Sequence, residues 1–260
     1  MENNDYENKI LVFDSGAGGI SVLRELVKLM PNEDFIYFGD SKNAPYGTKS
    51  LDEVKELTFA VVERYIERGV KGVCVACNTA TSAAVATLRK KYPDLPIVGI
   101  EPAIKPAVEA FPGGKVLVLA TPMTVALPKF NGLYEKYKEQ AEIIPLAAPG
   151  LMEFVESGEI SGEKIETFLS ALLSPYKDKV DAVVTGCTHY IFAQEAIVRV
   201  LGDVKLFDGG FGTAKYMKKI LGDKGQLTAS DKTGNVEFVC SSDDKEHIQI
   251  FKMLLGKKVL

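Results

Sequence analysis

Histidine, cysteine and basic charge are all scarce in this 260-residue chain, and each shortage closes off a class of function. There are four cysteines, too few for a disulfide scaffold in a chain this long, so the thiols are free groups, metal ligands or catalysts. Lysine and arginine number 31 against 35 acidic residues, a formal net charge of −4, so no basic footprint argues for nucleic acid. No apolar run approaches the roughly 18–20 residues of a membrane span. The opening Met1-Glu2-Asn3-Asn4-Asp5 is polar and acidic, unlike a secretory signal. The expectation is a soluble cytoplasmic protein with no nucleic-acid or membrane partner. Hydrophobic residues make up 46% of the chain, enough for a substantial core, and the length suits two domains.

What is present is concentrated in two short stretches built alike. Val73-Cys74-Val75-Ala76-Cys77-Asn78-Thr79 and Ala182-Val183-Val184-Thr185-Gly186-Cys187-Thr188-His189-Tyr190 each run a β-branched strand into a small residue, a cysteine and then polar groups. A helical pattern follows each. A cysteine is thereby set at the carboxyl end of a strand, where open α/β sheets bind ligands and where helix N–H groups favour an anion. Cys74 and Cys240 fall inside or at the end of strand patterns and read as buried small hydrophobes.

The rest of the chain alternates strand and helix. Strand patterns cover Lys9 to Phe13, Phe35 to Phe38, Pro96 to Ile100, Lys115 to Leu119, Ile143 to Leu146, Val204 to Phe207 and a final one from Val236. A glycine-rich turn, Asp14-Ser15-Gly16-Ala17-Gly18-Gly19, follows the first strand, and a long polar loop, Gly39 to Thr48, follows the second. Ser50 with Glu53 reads as a capping box opening a helix to about Arg68. This alternation predicts an α/β fold with mainly parallel sheets.

The chain also repeats itself. Cys187 lies 110 residues after Cys77, Thr121 lies 107 after Asp14, Ile143 lies 108 after Phe35, and Asp208 lies 107 after Glu101. These offsets predict two similar α/β halves related by pseudo-twofold symmetry. The expected division is residues 1–98 plus 208–260, holding Asp14 and Cys77, and 99–207, holding Cys187 and His189. Packed face to face, the halves would present one thiol to each face of a small molecule bound in the interdomain cleft.

That geometry suits proton transfer at a carbon α to a carboxylate. Asp14 and His189 are the candidate helpers of the two thiols. Ser15, Asn78, Thr79, Thr121, Thr124 and Thr188 offer neutral donors and acceptors for a zwitterionic amino acid. His247 reads as a surface residue. Three other readings compete. Cys74, Cys77, Cys187 and His189 are zinc-ligand types, but Cys74 belongs to a strand. A thioredoxin-like CxxC would start a helix with its first cysteine. The turn at Asp14 lacks the G-x-G-x-x-G pattern, since Ser21 stands at the last position, and its acid would repel phosphate.

Taken together, Phe13 to Gly19, Asn43-Ala44-Pro45-Tyr46-Gly47, Ala76 to Ala80 and Gly186 to Tyr190 resemble the cofactor-independent glutamate racemases of bacteria. The resemblance covers nearly the whole chain. It implies interconversion of L- and D-glutamate by two bases without a cofactor, supplying D-glutamate for peptidoglycan. Carried over, Cys77 would act on the D-enantiomer and Cys187 on the L-enantiomer. Asp14 would assist Cys77, and His189 with Glu153 would assist Cys187. Asp14-Ser15, Tyr46-Gly47, Asn78-Thr79 and Thr188-His189 would contact substrate, with Thr121 and Thr124 as the family's threonine pair. The family fold is two α/β domains, commonly as a homodimer. The chain departs from the pattern at Ala120, Ile191 and Asp208-Gly209-Gly210, which leaves aspartate or another acidic amino acid open as substrate. A protein that holds such an amino acid without turning it over is the remaining alternative. With about nine residues ahead of the first strand, regulation through an N-terminal extension is not expected. The Gly39–Thr48 loop is the candidate lid.

Overall fold

A computed structural model describes residues 6–242 and 244–257. Two parallel sheets form the frame. The first contains β1 (Ile10–Asp14), β2 (Phe35–Gly39), β3 (Gly72–Val75), β4 (Ile97–Gly99) and β9 (Val236–Cys240), in the order β4-β3-β1-β2-β9. The second contains β5 (Lys115–Ala120), β6 (Glu142–Ala147), β7 (Ala182–Thr185) and β8 (Lys205–Asp208), in the order β6-β5-β7-β8. Read from the other edge, the second sheet runs β8-β7-β5-β6, the order of the first four strands of the first sheet. The repeat in the sequence is therefore a repeat of topology. Among the described residues only β9, on the far side of β2, has no counterpart.

Burial on both faces explains the strand sequences. β1 reads Ile-Leu-Val-Phe-Asp and β3 reads Gly-Val-Cys-Val, buried throughout, as expected where helices cover a parallel sheet. Separate apolar clusters flank each sheet. Ile10, Val12, Cys74 and Phe251 pack on one side of the first, and Leu11, Phe13, Val75 and Cys77 on the other. Cys74 and Cys77 thus face opposite cores and cannot close on one ion. Among the described residues no group of three or more His, Cys, Asp or Glu side chains converges as a metal site. No described helix is long and apolar enough to cross a membrane.

The chain crosses between sheets twice. After β4, helix Ile104–Ala110 packs on β5, β7 and β8. After β8, helix Gly210–Asp223 packs back on helix Ile20–Leu29 of the first sheet. Each strand runs one residue past the expected break, since Gly99 closes β4 and Asp208 closes β8. Ser50 caps helix Leu51–Ile66, its hydroxyl accepting the Glu53 N–H at 3.2 Å. The helical run after Cys77 is continuous to Lys91 but carries a π-bulge over Thr81–Val85, a distortion common beside functional sites. The helix opened by Thr121 is short, Pro122–Ala126. Pro128 restarts it as Pro128–Tyr137, with proline at the first position where no N–H is needed.

Candidate active site

Four strands of matching position deliver the functional side chains. Asp14 ends β1, Thr121 follows β5, Cys77 follows β3 and Cys187 follows β7. Cys77 is an extended residue at φ −79°, ψ 125°, so its sulfur caps the next helix and lies 3.5 Å from the Ala80 N–H. Thr121 does the same in the other half, accepting the Thr124 N–H at 3.2 Å. The turn from extended strand to helix leaves N–H groups free of helical partners, and the capping side chain takes one of them.

Around Cys77 the groups are neutral or acidic. The Ser15 hydroxyl donates to its sulfur at 3.4 Å. Burial first, then the Asp14 carboxylate, pushes the Cys77 thiol up to about 12, against the opposing Ser15 and Ala80 bonds. Asp14 is fully buried and its carboxyl is raised by that burial, in spite of the His189 charge. It accepts the Gly16 N–H at 2.9 Å and the Thr188 hydroxyl at 3.1 Å, the second bond crossing from one half to the other.

Around Cys187 the partner is a cation. His189 Nδ1 lies 3.7 Å from the Cys187 sulfur, and Nε2 lies 2.5 Å from Glu156 Oε1. Burial works against a charge on the imidazole, but Cys187 and Glu156 outweigh it and hold its pKa well above the ordinary value. For Glu156 burial again opposes the charge, and the His189 bond overcomes it, lowering the carboxyl. Both partners therefore shift toward an ion pair. The Gly18 N–H also points at Nε2, at 3.1 Å, where it needs a lone pair. The two demands conflict, and the shorter, charge-assisted contact to the carboxylate prevails, so Nε2 carries a proton.

Glycine in the Asp14–Gly19 turn follows from this docking. A Cβ on Gly16 would stand 2.0 Å from Glu156 Oε1, and one on Gly18 would stand 2.3 Å from His189 Nδ1. The turn is bare backbone because the other half's side chains lie against it. The Ala17 N–H donates to Glu156 Oε1 at 2.6 Å.

The two cysteines line one small cavity of about 10 Å³, room for roughly a single water. Ser15, Tyr46, Gly47, Asn78, Thr79, Thr121, Thr188 and His189 share its wall. Asp14 and Thr124 do not reach the wall but bond to Thr188 and Thr121, which do. Thr79 joins the halves through hydroxyl contacts of 3.3 Å to Thr121 and to Thr124. Asn78 is buried with both amide atoms unpartnered among the described residues, an arrangement that calls for a polar guest.

A sequence profile of the Asp/Glu/hydantoin racemases matches residues 10–214. A glutamate racemase of Clostridium novyi is 53% identical over 247 residues, 94% of this chain and 95% of that one. The solved glutamate racemase of Francisella tularensis, in complex with D-glutamate, superposes with a TM-score of 0.83 at 28% identity, covering 99% of this chain and 96% of that one. The Escherichia coli glutamate racemase, solved with L-glutamate and the activator UDP-MurNAc-ala, gives 0.83 at 31% identity, covering 95% of each.

The chain belongs to the Asp/Glu/hydantoin racemase family.

Three residues of this racemase site escape a reading of the sequence. Glu153, expected beside His189, is exposed on helix Leu151–Glu156, and the carboxylate at the imidazole is Glu156. Three residues move a side chain about 4.5 Å along a helix, enough to carry it to the end that meets the Asp14–Gly19 turn. A carboxylate at a helix C-terminus is unfavourable, and His189 with the Ala17 N–H offsets this. Asp40 is buried in the polar loop, accepting the Tyr46 hydroxyl at 2.5 Å and the Asn43 amide at 3.0 Å. Met152 adds a thioether to the cavity wall, and its place between Leu151 and Glu153 gave no signal for it.

Proposed function

We propose that this chain is an enzyme that interconverts L- and D-glutamate without a cofactor, using Cys77 and Cys187 as a pair of acid–base groups. The observation that carries the reading is that both sulfurs, from equivalent strands of the two halves, line the same small cavity. From L-glutamate, Cys187 as thiolate takes the α-proton while the Cys77 thiol gives its proton to the opposite face. The protonation of the two sulfurs is then exchanged, and the reverse reaction restores it. A Cys77 thiol pushed up to about 12 suits the donor role in this direction.

Asp14 serves Cys77 as its proton partner, and His189 serves Cys187, with Glu156 rather than Glu153 fixing the imidazolium. Asn78, Thr79, Thr121 and Thr188 supply the polar contacts for a carboxylate and an ammonium, with Ser15, Tyr46 and Gly47 closing the wall and Thr124 holding Thr121. Without an electron sink the carbanion must be stabilised by fixed dipoles in a dry site. A cavity of about 10 Å³ holds no more than about one water, far less than an amino acid needs, so substrate entry requires the halves or the Gly39–Thr48 loop to open. Tyr46 and Gly47 of that loop lie on the cavity wall, and a Cβ on Gly47 would stand 2.8 Å from Thr121, which supports the loop as lid.

The reading carries further expectations. The product serves peptidoglycan synthesis in the cytoplasm, and the enzyme works as a homodimer, which sedimentation would test. The two catalytic halves divide near residues 98 and 208, as sheet membership supports. The experiment is incubation of either enantiomer in D2O without pyridoxal phosphate. The reading requires loss of optical rotation together with deuterium at the α-carbon. Stoichiometric glutamate binding with neither change would overturn it in favour of a binding protein, and faster turnover of aspartate would overturn the substrate.

A further inference from the structure

The residue that follows His189 reaches, through its hydroxyl, the far end of the helix that carries Glu156. Tyr190 is buried and donates to the Ala148 carbonyl at 2.8 Å. Ala148 follows β6, and its own N–H donates to the carbonyl of Ala120, the last residue of β5, at 3.0 Å. The hydroxyl thus ties the turn after β7 to the turn after β6, with β5 between them in the sheet. The same carbonyl accepts the Leu151 N–H at 3.4 Å, where helix Leu151–Glu156 begins. At the other end of that helix, Glu156 Oε1 lies 2.5 Å from His189 Nε2. Adjacent residues of one turn therefore grip the two ends of one helix.

This helix depends on its surroundings for its placement. Its six residues make about 9 Å of helix, well short of the roughly 12–15 residues that hold together unaided. Leu151 and Val155 bury its apolar side, Leu151 in the cluster that contains Tyr190 and Cys187. Apolar contact has no direction, so it does not by itself set how far the helix slides or turns. The hydrogen bonds at its two ends do. Gly150, immediately ahead of the helix, takes a left-handed φ of 93°, so the chain enters through a joint that glycine leaves loose. Tyr190 fixes Ala148 on the near side of that joint.

We propose that Tyr190 is a positioning residue of the active site, its hydroxyl fixing the start of helix Leu151–Glu156 so that Glu156, at the other end, keeps the His189 imidazolium aligned on Cys187. The inference rests on the racemase reading above. Each link is a contact in the structure, from the Tyr190 hydroxyl through Ala148 and the helix to Glu156 and back to His189. The titratable groups facing His189 are Cys187 in its own turn, Glu156 from this helix and Asp14 from β1. Burial opposes a charge on the imidazole, and Cys187 and Glu156 outweigh it. A helix that shifts draws Glu156 away and weakens one of these two supports, so the imidazolium loses its proton at lower pH.

Tyr190→Phe keeps the ring and removes the hydroxyl. The proposal expects the His189 titration midpoint, followed by NMR, to fall by about half a pH unit while that of His247 stays in place. His247, against Asp244 at the start of helix Lys245–Gly256, is the chain's second histidine and serves as the control. At neutral pH kcat should fall about fivefold with KM changed less than about twofold. In a Glu156→Gln background the same substitution should cost less than about twofold, because the carboxylate it acts through is already gone. Gly150→Ala strains the entry to the helix directly and should move both readouts the same way. It carries the test if Tyr190→Phe does not fold. An unchanged His189 midpoint in a folded variant, equal movement of both histidines, a loss read in KM rather than kcat, or a full further loss in the Glu156→Gln background would overturn the proposal. The titration needs no turnover. If the wild type failed to racemise glutamate while the midpoint still fell, the functional reading would be lost and the positioning role kept.

Discussion

The two cysteines stand at equivalent ends of equivalent strands, yet their surroundings differ in sign. Cys77 sits among hydroxyls and a buried carboxylate, and is held as a thiol. Cys187 sits beside an imidazolium braced by a second carboxylate. Duplication explains the shared placement of the sulfurs. It does not explain the helpers, which come from unrelated places: a strand end for Asp14, a helix end for Glu156. A pair of like groups on opposite faces of one carbon needs one to give a proton while the other takes it. Unlike surroundings provide that difference, and symmetry alone would not.

The largest effect that would test this comparison is removal of either sulfur. Cys77→Ser and Cys187→Ser should each lower racemisation by at least about 10²-fold in initial-rate assays, because each step needs both groups. Near-normal turnover in one of them would leave a single active side. Next, Gly18→Ala drives a Cβ to 2.3 Å from His189 Nδ1 and should cost at least about tenfold in kcat by displacing the imidazole. Its rate constants would show the damage in kcat before KM.

Glu156→Gln sharpens the comparison on the Cys187 side. Losing the carboxylate lowers the raised His189 pKa, so the imidazolium is lost at lower pH. The alkaline limb of the kcat profile that reports it should move to lower pH, with about a tenfold loss above neutrality. Glu153→Gln should stay within about twofold, and a reversed pattern would return the role to Glu153.

The ends of the strands were legible because residue type changes abruptly there, from Val75 to Cys77 and from Thr185 to Cys187. The repeat was legible in those landmarks and returned as strand order. Glu156 was not, because one helix offers two acids a turn apart and only packing selects between them. Asp40 was hidden within a loop that reads as uniformly polar. The place of β9 was hidden because an edge position leaves no mark in a run such as Val236-Glu237-Phe238-Val239-Cys240.

Smaller effects bear on stability. Burial raises the Asp14 carboxyl, so the folded chain binds that proton more tightly than the unfolded one. Stability then falls as pH rises from the ordinary carboxylate range through the folded value, and the ionised group is a cost at neutral pH. Asp14→Asn should therefore raise Tm by a few degrees at pH 7, about 2–4 °C per kcal/mol recovered, while impairing turnover of the Cys77 side. Calorimetry should show the gain shrinking in acid. Smallest of all, Cys74→Ala, on the opposite face of β3 from Cys77, should keep activity within about twofold and cost about 1 kcal/mol in denaturant unfolding.

The most direct measurement is where solvent deuterium first appears. Each enantiomer is incubated in D2O, stopped within the first few per cent of conversion, and the α-position of substrate and product read separately by mass spectrometry. Two sulfurs on opposite faces predict deuterium in nearly all of the product and almost none in the recovered substrate, from either starting enantiomer. Comparable label in recovered substrate and product would mean that one group serves both faces, and would contradict the account.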